Sequence, residues 1–257
     1  MGRTGVIVVA GGRGARMGGS IPKQFRLLEG EPVLARTIRN FARALPDAQI
    51  VAVLPAEHLP FWRNLCKRFD VAPHTTAEGG AERFHSVRNG LAALGGDVEL
   101  IAVQDGVRPL TSDELIRRTV RAAAEHGAAV PVVEAVDSYR QTDGEESHIV
   151  DRSRLRIVQT PQVFRADVLR RAYEAECCAD FTDDASVVER SGHAIFLCRG
   201  ERQNLKITTP EDFVVARALL EASRMRGEEE ADTENDTGAG TCAASASDPT
   251  VFPNERR

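Results

Sequence analysis

The sequence lacks several features that define common classes of protein. Its 257 residues contain no apolar run near the roughly 20 residues that a membrane-spanning helix needs. The N-terminal residues lead directly into the apolar residues 6–9, without the separate basic and apolar regions of a signal peptide. The five cysteines form no C-x-x-C pair and have no histidine partners at zinc-like spacing, and an odd number of scattered thiols fits a reducing compartment. We therefore expect a cytoplasmic enzyme.

The chain also lacks an excess of positive charge. The net charge is −5, and the chain has only three lysines beside 30 arginines. An acidic chain has no overall attraction for nucleic acid or for an anionic membrane, so we expect neither as a partner. An anionic substrate must instead be held by a local cluster of cations. The hydrophobic fraction of 42% is sufficient for a sizeable core.

Strand-like and helix-like segments alternate along most of the chain. Residues 6–10 are continuous and mostly β-branched, as in a parallel strand covered on both faces. Pro32 opens a segment with helical spacing of apolar residues, and residues 111–114 resemble a capping box for a helix that ends near His126. This alternation predicts an α/β fold with a mostly parallel sheet and helices on both faces. The other predicted strands are residues 50–54, 100–103, 128–133, 194–198 and 205–207.

Two segments depart from this alternation. Residues 135–158 contain two short apolar stretches around the polar turn at 142–146, which predicts a hairpin-like arm. The last helix begins at Pro210, with Thr209 as its N-cap, and is predicted to end near Ser223. From Gly227 onwards apolar residues nearly vanish. The sequence therefore predicts one domain over residues 1–226 and a disordered acidic tail over 227–257.

A glycine-rich loop follows the first predicted strand. Because glycine has no Cβ, the backbone N–H groups of such a loop can approach a phosphate closely. A P-loop is excluded because the chain has no Gly-Lys dipeptide, and the spacing of Gly12, Gly14 and Gly18 is one residue longer than the dinucleotide-binding fingerprint. The loop also carries Arg16 and, a few residues further on, Lys23. These cations suit a polyphosphate whose charge must be stabilised while a bond breaks.

Two further segments are candidates for the same site. Residues 79–87 place small residues and a hydroxyl at the start of a helix, which suits recognition of a nucleotide base and ribose. Asp105 ends a predicted strand and lies on the sheet edge that carries the glycine-rich loop. Mg²⁺ commonly takes one or two protein carboxylates and completes its shell with phosphate oxygens and water. Asp105 is therefore a candidate Mg²⁺ ligand.

Taken together, these segments resemble the 2-C-methyl-D-erythritol 4-phosphate cytidylyltransferases. The resemblance covers about residues 5–222, and seven motifs occur in the family's order, at residues 10–18 with 22–24, 80–87, 105–109, 150–152, 159–162, 182–185 and 204–208. It implies a Rossmann-like nucleotidyltransferase fold with a protruding β-arm. It also implies Mg²⁺ as cofactor, and a homodimer in which the arm of one subunit completes its neighbour's site. The implied reaction transfers CMP from CTP to 2-C-methyl-D-erythritol 4-phosphate in non-mevalonate isoprenoid biosynthesis.

The resemblance also implies roles for individual residues. Arg16 and Lys23 match the catalytic cations that stabilise the α-phosphate, and Asp105 matches the aspartate that binds Mg²⁺. The positions that match nucleotide contacts are Ala10, Gly11, Gly12, Gly14, Gly80, Ser86, Asp105 and Gly106. The positions that match contacts to the acceptor are Arg108, Ser138, Arg152, Thr160 and Lys206, of which Ser138 and Arg152 would act in trans.

Other functions are compatible with parts of this pattern. A cytidylyltransferase for ribitol 5-phosphate or another polyol phosphate would share the loop and the magnesium motif. A non-catalytic nucleotide-binding module would have no need to keep Arg16, Lys23, Asp105 and Lys206 together. An NAD-dependent dehydrogenase is disfavoured by the spacing of the glycine-rich loop.

Overall fold

A computed structural model describes residues 3–11 and 21–236, with side chains through residue 225. The strands are β1 Thr4–Val9, β2 Leu27–Leu28, β3 Glu31–Pro32, β4 Gln49–Leu54, β5 Thr75–Glu78, β6 Leu100–Asp105, β7 Ala128–Glu134, β8 Tyr139–Asp143, β9 Glu146–Val150, β10 Arg156–Val158, β11 Gln162–Arg165 and β12 Phe196–Arg199. The helices are α1 Val33–Ala44, α2 Leu59–Phe69, α3 Arg83–Ala93, α4 Asp113–His126, α5 Ala166–Ala172, α6 Asp184–Arg190 and α7 Pro210–Asp236. Throughout the described residues, each helix is too short or too polar to cross a lipid bilayer.

The central sheet is mixed but mostly parallel, as the sequence predicts. Its main path runs β7-β11-β6-β1-β4-β5, with β10 and β12 also paired to β7. Strands β6, β1, β4 and β5 are parallel neighbours, and β12 is parallel to β7. Strands β10 and β11 run antiparallel to their partners. The carboxyl ends of β1, β4 and β6 therefore meet at one edge of the sheet.

Alternate side chains of β1 enter two different cores. Val6 and Val8 pack on the face covered by α1, α2 and α4, whereas Ile7 packs on the face covered by α3, α5 and α6. Helix α3 lies very close to the sheet because residue 90 is a glycine. A Cβ there would lie 2.6 Å from Cγ2 of Ile7 and 3.0 Å from Cγ2 of Val53. This close approach packs α3 tightly against β1 and β4.

The predicted arm is present as the hairpin of β8 and β9, but it is shorter than residues 135–158 because Arg156–Val158 pairs with β7 in the central sheet. Asp143 pairs with Glu146, which leaves Gly144 and Glu145 as a two-residue turn. Gly144 has a φ of +60°, a conformation that hairpin turns of this length commonly require and that glycine adopts without steric cost. The hairpin lies outside the central sheet.

Several local expectations are corrected by the structure. Helix α4 begins at Asp113, and Ser112 is its N-cap, with its Oγ accepting from the N–H of Leu115. Residues 205–207 do not form a strand. The N–H of Ile207 donates to the carbonyl of Val107, and the side chain of Ile207 is buried against α7. The short strands β5 and β11 were not predicted.

The last helix is longer than the sequence predicts. Helix α7 continues through Asp236, thirteen residues beyond Ser223, and so includes residues 227–236 of the predicted tail. Residues 228–231 are three glutamates and an alanine, which favour a helix by intrinsic propensity and can continue α7 past Gly227. The remainder of the predicted tail, residues 237–257, lies outside the described residues.

Candidate active site

The carboxyl edge of the sheet brings two of the predicted glycine segments together. Val9 is paired with Asp105, and the N–H of Gly106 donates to the carbonyl of Val9 at 2.8 Å. A Cβ on Gly106 would lie 3.0 Å from the Cβ of Ala10, so the two backbones approach closely. Ala10, Gly11, Asp105 and Gly106 therefore form a continuous surface, as predicted.

The turn that carries Lys23 is attached to this surface by its neighbour. Gln24 is buried, and its Nε2 donates to the carbonyl of Ala10 at 3.0 Å. Lys23 begins the short 3-10 helix Lys23–Phe25 and is half-buried. Gln24 belongs to the motif at residues 22–24 but had no predicted role. Gly12, Gly14 and Arg16 lie outside the described residues.

A third segment carries Gly80 and Ser86, two positions predicted to contact the nucleotide. The N–H of Gly80 donates to Oγ of Ser86 at 3.0 Å, and that Oγ donates to the carbonyl of Glu82 at 3.1 Å. A Cβ on Gly80 would lie 2.3 Å from the Cβ of His85, so only glycine fits this turn. A Cβ on Gly11 would lie 3.7 Å from Oγ of Ser86, which places the first loop directly beside this one.

Cationic side chains surround the buried carboxylate of Asp105. Its Oδ2 lies 3.1 Å from Nζ of Lys206 and 3.2 Å from Nε of Arg108, and its Oδ1 lies 4.0 Å from Nε of Arg83. Burial by itself would raise the pKa of Asp105. The positive charges of Lys206, Arg83 and Arg108 outweigh that effect and lower the pKa to about 2. Asp105 is therefore ionised throughout the neutral range.

A second buried carboxylate, which the sequence analysis missed as a site residue, holds Arg83 in place. Asp184 is 0% exposed, and its two oxygens accept from Nη1 and Nη2 of Arg83 at 2.9 and 2.6 Å. The hydroxyl of Tyr173 donates to the same carboxylate at 2.7 Å. Burial and the charge of Asp184 both raise the pKa of Tyr173 above its usual range. Arg83 and Asp184 both lie inside segments that carry the family resemblance, so the signal was present without an assigned role.

A polar network joins Asp105 to two of the loops that carry predicted acceptor contacts. The N–H of Asp105 donates to Oγ1 of Thr160 at 3.1 Å. Asn204 joins the loop of Thr160 to the loop of Arg108. Its side-chain Nδ2 donates to the backbone carbonyl of Thr160 at 2.8 Å, and its backbone carbonyl accepts from Nη1 of Arg108 at 2.7 Å. Thr160, Arg108 and Lys206, three of the positions predicted to contact the acceptor, are therefore brought together around Asp105.

The two predicted residues of the arm lie elsewhere in the single chain. Ser138 immediately precedes β8, Arg152 follows β9, and both are exposed. The guanidinium of Arg152 donates to the carbonyl of Val136. In the described part of the chain, neither Ser138 nor Arg152 forms a hydrogen bond or ion pair with Asp105. A single subunit therefore does not assemble the full predicted set of acceptor contacts.

The fold and this site define a nucleotidyltransferase. A family model described as 2-C-methyl-D-erythritol 4-phosphate cytidylyltransferase matches residues 4–222. The chain belongs to this family. The enzyme of that name from Bacteroides fragilis is 49% identical over 216 residues, which cover 83% of this chain and 98% of the relative.

Solved structures agree with this assignment. The structure of 2-C-methyl-D-erythritol 4-phosphate cytidylyltransferase from Thermus thermophilus has a TM-score of 0.65 and 32% identity, covering 85% of this chain and 98% of its own. The structure of 4-diphosphocytidyl-2C-methyl-D-erythritol synthase from Anaerococcus prevotii has a TM-score of 0.72 and 26% identity, with the same coverage. The predicted fold class is thereby confirmed.

Proposed function

We propose that this enzyme transfers CMP from CTP to 2-C-methyl-D-erythritol 4-phosphate, releasing pyrophosphate and giving 4-CDP-2-C-methyl-D-erythritol. This is a step of non-mevalonate isoprenoid biosynthesis. The observation that carries the proposal is the cluster of Lys206, Arg108 and Arg83 around Asp105, next to a glycine-lined sheet edge. This arrangement suits two phosphorylated substrates and occurs in a chain whose family is defined by this reaction.

The reaction needs no nucleophilic side chain. An oxygen of the acceptor's phosphate attacks the α-phosphorus of CTP, a new P–O bond forms, and the bond to the departing pyrophosphate breaks. The protein contributes placement and neutralisation of charge. Lys23 and Arg16 would stabilise the charge on the α-phosphate, and the attachment of Gln24 to Ala10 supports this placement of Lys23. The backbone near Gly80 and Ser86 would receive the nucleoside.

Lys206 and Arg108 would have different roles towards the acceptor. Both contact Asp105, but the side chain of Lys206 is 44% exposed whereas that of Arg108 is 10% exposed. Arg108 is also held by the carbonyl of Asn204. Lys206 is therefore the cation that can turn from Asp105 to an incoming phosphate, while Arg108 stays in place.

Asp105 fits the proposed magnesium site. It supplies an ionised carboxylate, the hard oxygen donor that Mg²⁺ prefers, at the edge where the phosphates would lie. Asp184 is not available as a second ligand because Arg83 and Tyr173 occupy its oxygens. When bound, Mg²⁺ would neutralise charge on the phosphates of CTP. Asp105 alone would hold it for the protein, with substrate oxygens and water as the other ligands.

The enzyme would work as a homodimer in the cytoplasm. Apolar side chains on and near the arm are exposed, among them Val136, Ile149, Ile157 and Val158. Apolar surface of this kind is typical of an interface between subunits. Exchange of arms would bring Ser138 and Arg152 to the partner's Asp105 cluster. The described cysteines are free thiols, which suits a reducing compartment.

Release of pyrophosphate from CTP and Mg²⁺ tests the reaction. We expect turnover with 2-C-methyl-D-erythritol 4-phosphate and little with ribitol 5-phosphate. Turnover with ribitol 5-phosphate alone would assign another acceptor. Failure of both substrates with folded protein would favour a nucleotide-binding module without catalysis.

A lysine substitution tests the catalytic role within the site. Lys23→Ala should lower kcat by about 10²–10³, as expected for loss of one preorganised electrostatic group. Lys67→Ala is the matched control, since Lys67 is an exposed residue of α2. A normal kcat in folded Lys23→Ala protein would refute the role.

Mixed dimers test the shared site. Arg152→Ala should mainly raise the KM for the acceptor, because this contact exists before the transition state as well. Heterodimers of Lys23→Ala and Arg152→Ala subunits should recover part of the activity, since one of their two sites would be intact. Verified heterodimers without recovery would contradict arm exchange.

A further inference from the structure

Three side chains with metal-binding donors converge beside the start of α3. Glu82 is the N-cap residue of this helix and His85 lies on its first turn. Cys177 comes from the segment between α5 and α6, and its thiol donates to Oε2 of Glu82 at 2.8 Å. One donor atom from each of the three residues lies within 4.8 Å of the other two. The fold thus assembles a sulfur, a nitrogen and an oxygen donor from distant parts of the chain.

The histidine of this cluster has an unsatisfied nitrogen. Nδ1 of His85 is buried and has no hydrogen-bond partner in the part of the chain that the structure describes. A buried polar atom without a partner costs free energy, and such atoms are uncommon in native proteins. The ring of Phe84 meets the imidazole edge-on, with centroids 5.6 Å apart, and supplies no hydrogen-bonding group. The imidazole is therefore incompletely satisfied by the protein alone.

We propose that Glu82, His85 and Cys177 form a binding site for a zinc-type divalent cation. Zn²⁺ accepts thiolate, imidazole and carboxylate ligands, whereas Mg²⁺ prefers oxygen ligands only. In a tetrahedral zinc site the ligand atoms lie roughly 3.3–3.6 Å apart, from bond lengths of about 2.0–2.3 Å. The donor atoms lie within 4.8 Å of one another, so the cluster would contract by no more than about 1 Å at its widest separation, and the exposed side chain of Glu82 can rotate to do so.

Binding would change the protonation of the site. The Cys177 thiol would lose its proton to solvent and form the bond to the metal as a thiolate. Its present hydrogen bond to Glu82 would be replaced by metal coordination of both groups. The position of the cluster at the surface leaves a fourth ligand position for water. The site is chemically distinct from the Asp105 cluster, which offers oxygen donors only.

Occupation of this site should affect the nucleotide, an inference that rests on the proposed function. The carbonyl of Glu82 accepts from both the N–H and the Oγ of Ser86, and that Oγ accepts from the N–H of Gly80. Metal ligation of Glu82 and His85 would restrain the backbone of this turn, which carries proposed contacts to CTP and would then adjust less readily to the nucleotide. We therefore expect a bound cation to raise the KM for CTP.

Cobalt titration of the full-length, metal-stripped protein tests the site directly. Co²⁺ bound to a thiolate gives a charge-transfer absorption that an oxygen-only site such as Asp105 cannot give. We expect this absorption to saturate at one equivalent in the unaltered chain and to disappear in Cys177→Ser. Cys178→Ser is the matched control, because the adjacent thiol is also partly buried but does not belong to the cluster. It should retain the absorption.

Two further variants test the other two proposed ligands. Glu82→Gln changes an exposed side chain, so the variant should fold normally. Because it removes the carboxylate ligand, cobalt affinity should fall by at least about tenfold, which is the lower end of the loss caused by removing a group that supports a metal ligand. His85→Gln should cause a similar loss. The same absorption in Cys177→Ser, or no absorption in the unaltered chain, would overturn the site.

A kinetic comparison tests the link to the nucleotide separately. Zinc should raise the KM for CTP in the unaltered enzyme but not in Cys177→Ser. Because both proteins are assayed at the same zinc concentration, the comparison controls for zinc that is bound by CTP itself. An unchanged KM with the cobalt site present would overturn the link alone. Absence of turnover without zinc would instead contradict the proposed function.

Discussion

Replacement of Asp184 by asparagine should strongly destabilise the fold. The carboxylate is 0% exposed and accepts three hydrogen bonds, two from Arg83 and one from Tyr173. Asparagine has nearly the same shape but removes the negative charge and one of the acceptor oxygens. Arg83, whose side chain is only 29% exposed, would then keep a poorly compensated charge. Removing one member of a buried ion pair typically costs about 3–5 kcal/mol.

Two further variants separate the cost of breaking this buried ion pair from the cost of losing one hydrogen bond and from the cost of breaking an exposed ion pair. Tyr173→Phe removes one donor to the same carboxylate but leaves the ion pair intact, so it should cost about 1.5–3 kcal/mol. Asp113→Asn makes the same chemical change in a more exposed pair, in which Arg43 is 55% exposed. Its expected cost is about 0.2–1 kcal/mol.

Urea unfolding of the three variants and the unaltered chain supplies the comparison. The expected order of destabilisation is Asp184→Asn, then Tyr173→Phe, then Asp113→Asn. Domains of this kind have about 5–15 kcal/mol of total stability, so the first variant should lose a large fraction of it. A loss for Asp184→Asn of less than about 1 kcal/mol, or one equal to that of Asp113→Asn, would refute the argument that burial makes this pair costly to break.

Three further predictions concern other parts of the molecule. Because the pKa of Asp105 is lowered from 3.8 to about 2, its stabilising contribution of about 2 kcal/mol is present above pH 4 and lost as the pH falls towards 2. The difference in unfolding free energy between Asp105→Asn and the unaltered chain should therefore shrink between pH 4 and pH 2, and a constant difference would contradict this. Gly90→Ala should lower stability by about 1–3 kcal/mol in thermal or urea unfolding because its Cβ would collide with Ile7, while Gly96→Ala, with open space around it, should be nearly neutral. Deletion of residues 227–257 should leave activity and Tm nearly unchanged, and a large loss of either would show that this segment contributes to the fold.

The parts of the fold that could be predicted from the sequence depend on local patterns. The buried strand β1, the turn at Gly144 and the start of α7 are each defined by neighbouring residues. Strand β5 was missed because its Thr75–Glu78 segment is mostly exposed and has no apolar pattern. For residues 205–207, a strand was predicted that the structure does not contain. Their apolar character predicts a strand, but it serves a contact with α7.

Candidate site residues were predictable where the motif itself carries the chemistry. Asp105 and Gly80 stand at strand and helix ends, where ligand contacts are expected. The pairing of Arg83 with Asp184 joins residues 101 positions apart, and the spacing of cysteines gave no indication that Cys177 meets Glu82. Contacts of this kind depend on which loops the sheet topology places side by side.

The distribution of charge at Asp105 shows how an acidic protein can bind two polyanions. Arg83 is neutralised by Asp184, which leaves Lys206 and Arg108 opposite the single charge of Asp105. The cluster is thus locally positive although the chain as a whole carries −5. Asp105 prevents these cations from repelling one another before substrate arrives, and the exposed Lys206 can leave it when a phosphate offers a better partner. In the proposed reaction, the buried carboxylate would therefore stabilise the cluster before substrate binds and, once Lys206 has turned away, would present an oxygen ligand for Mg²⁺.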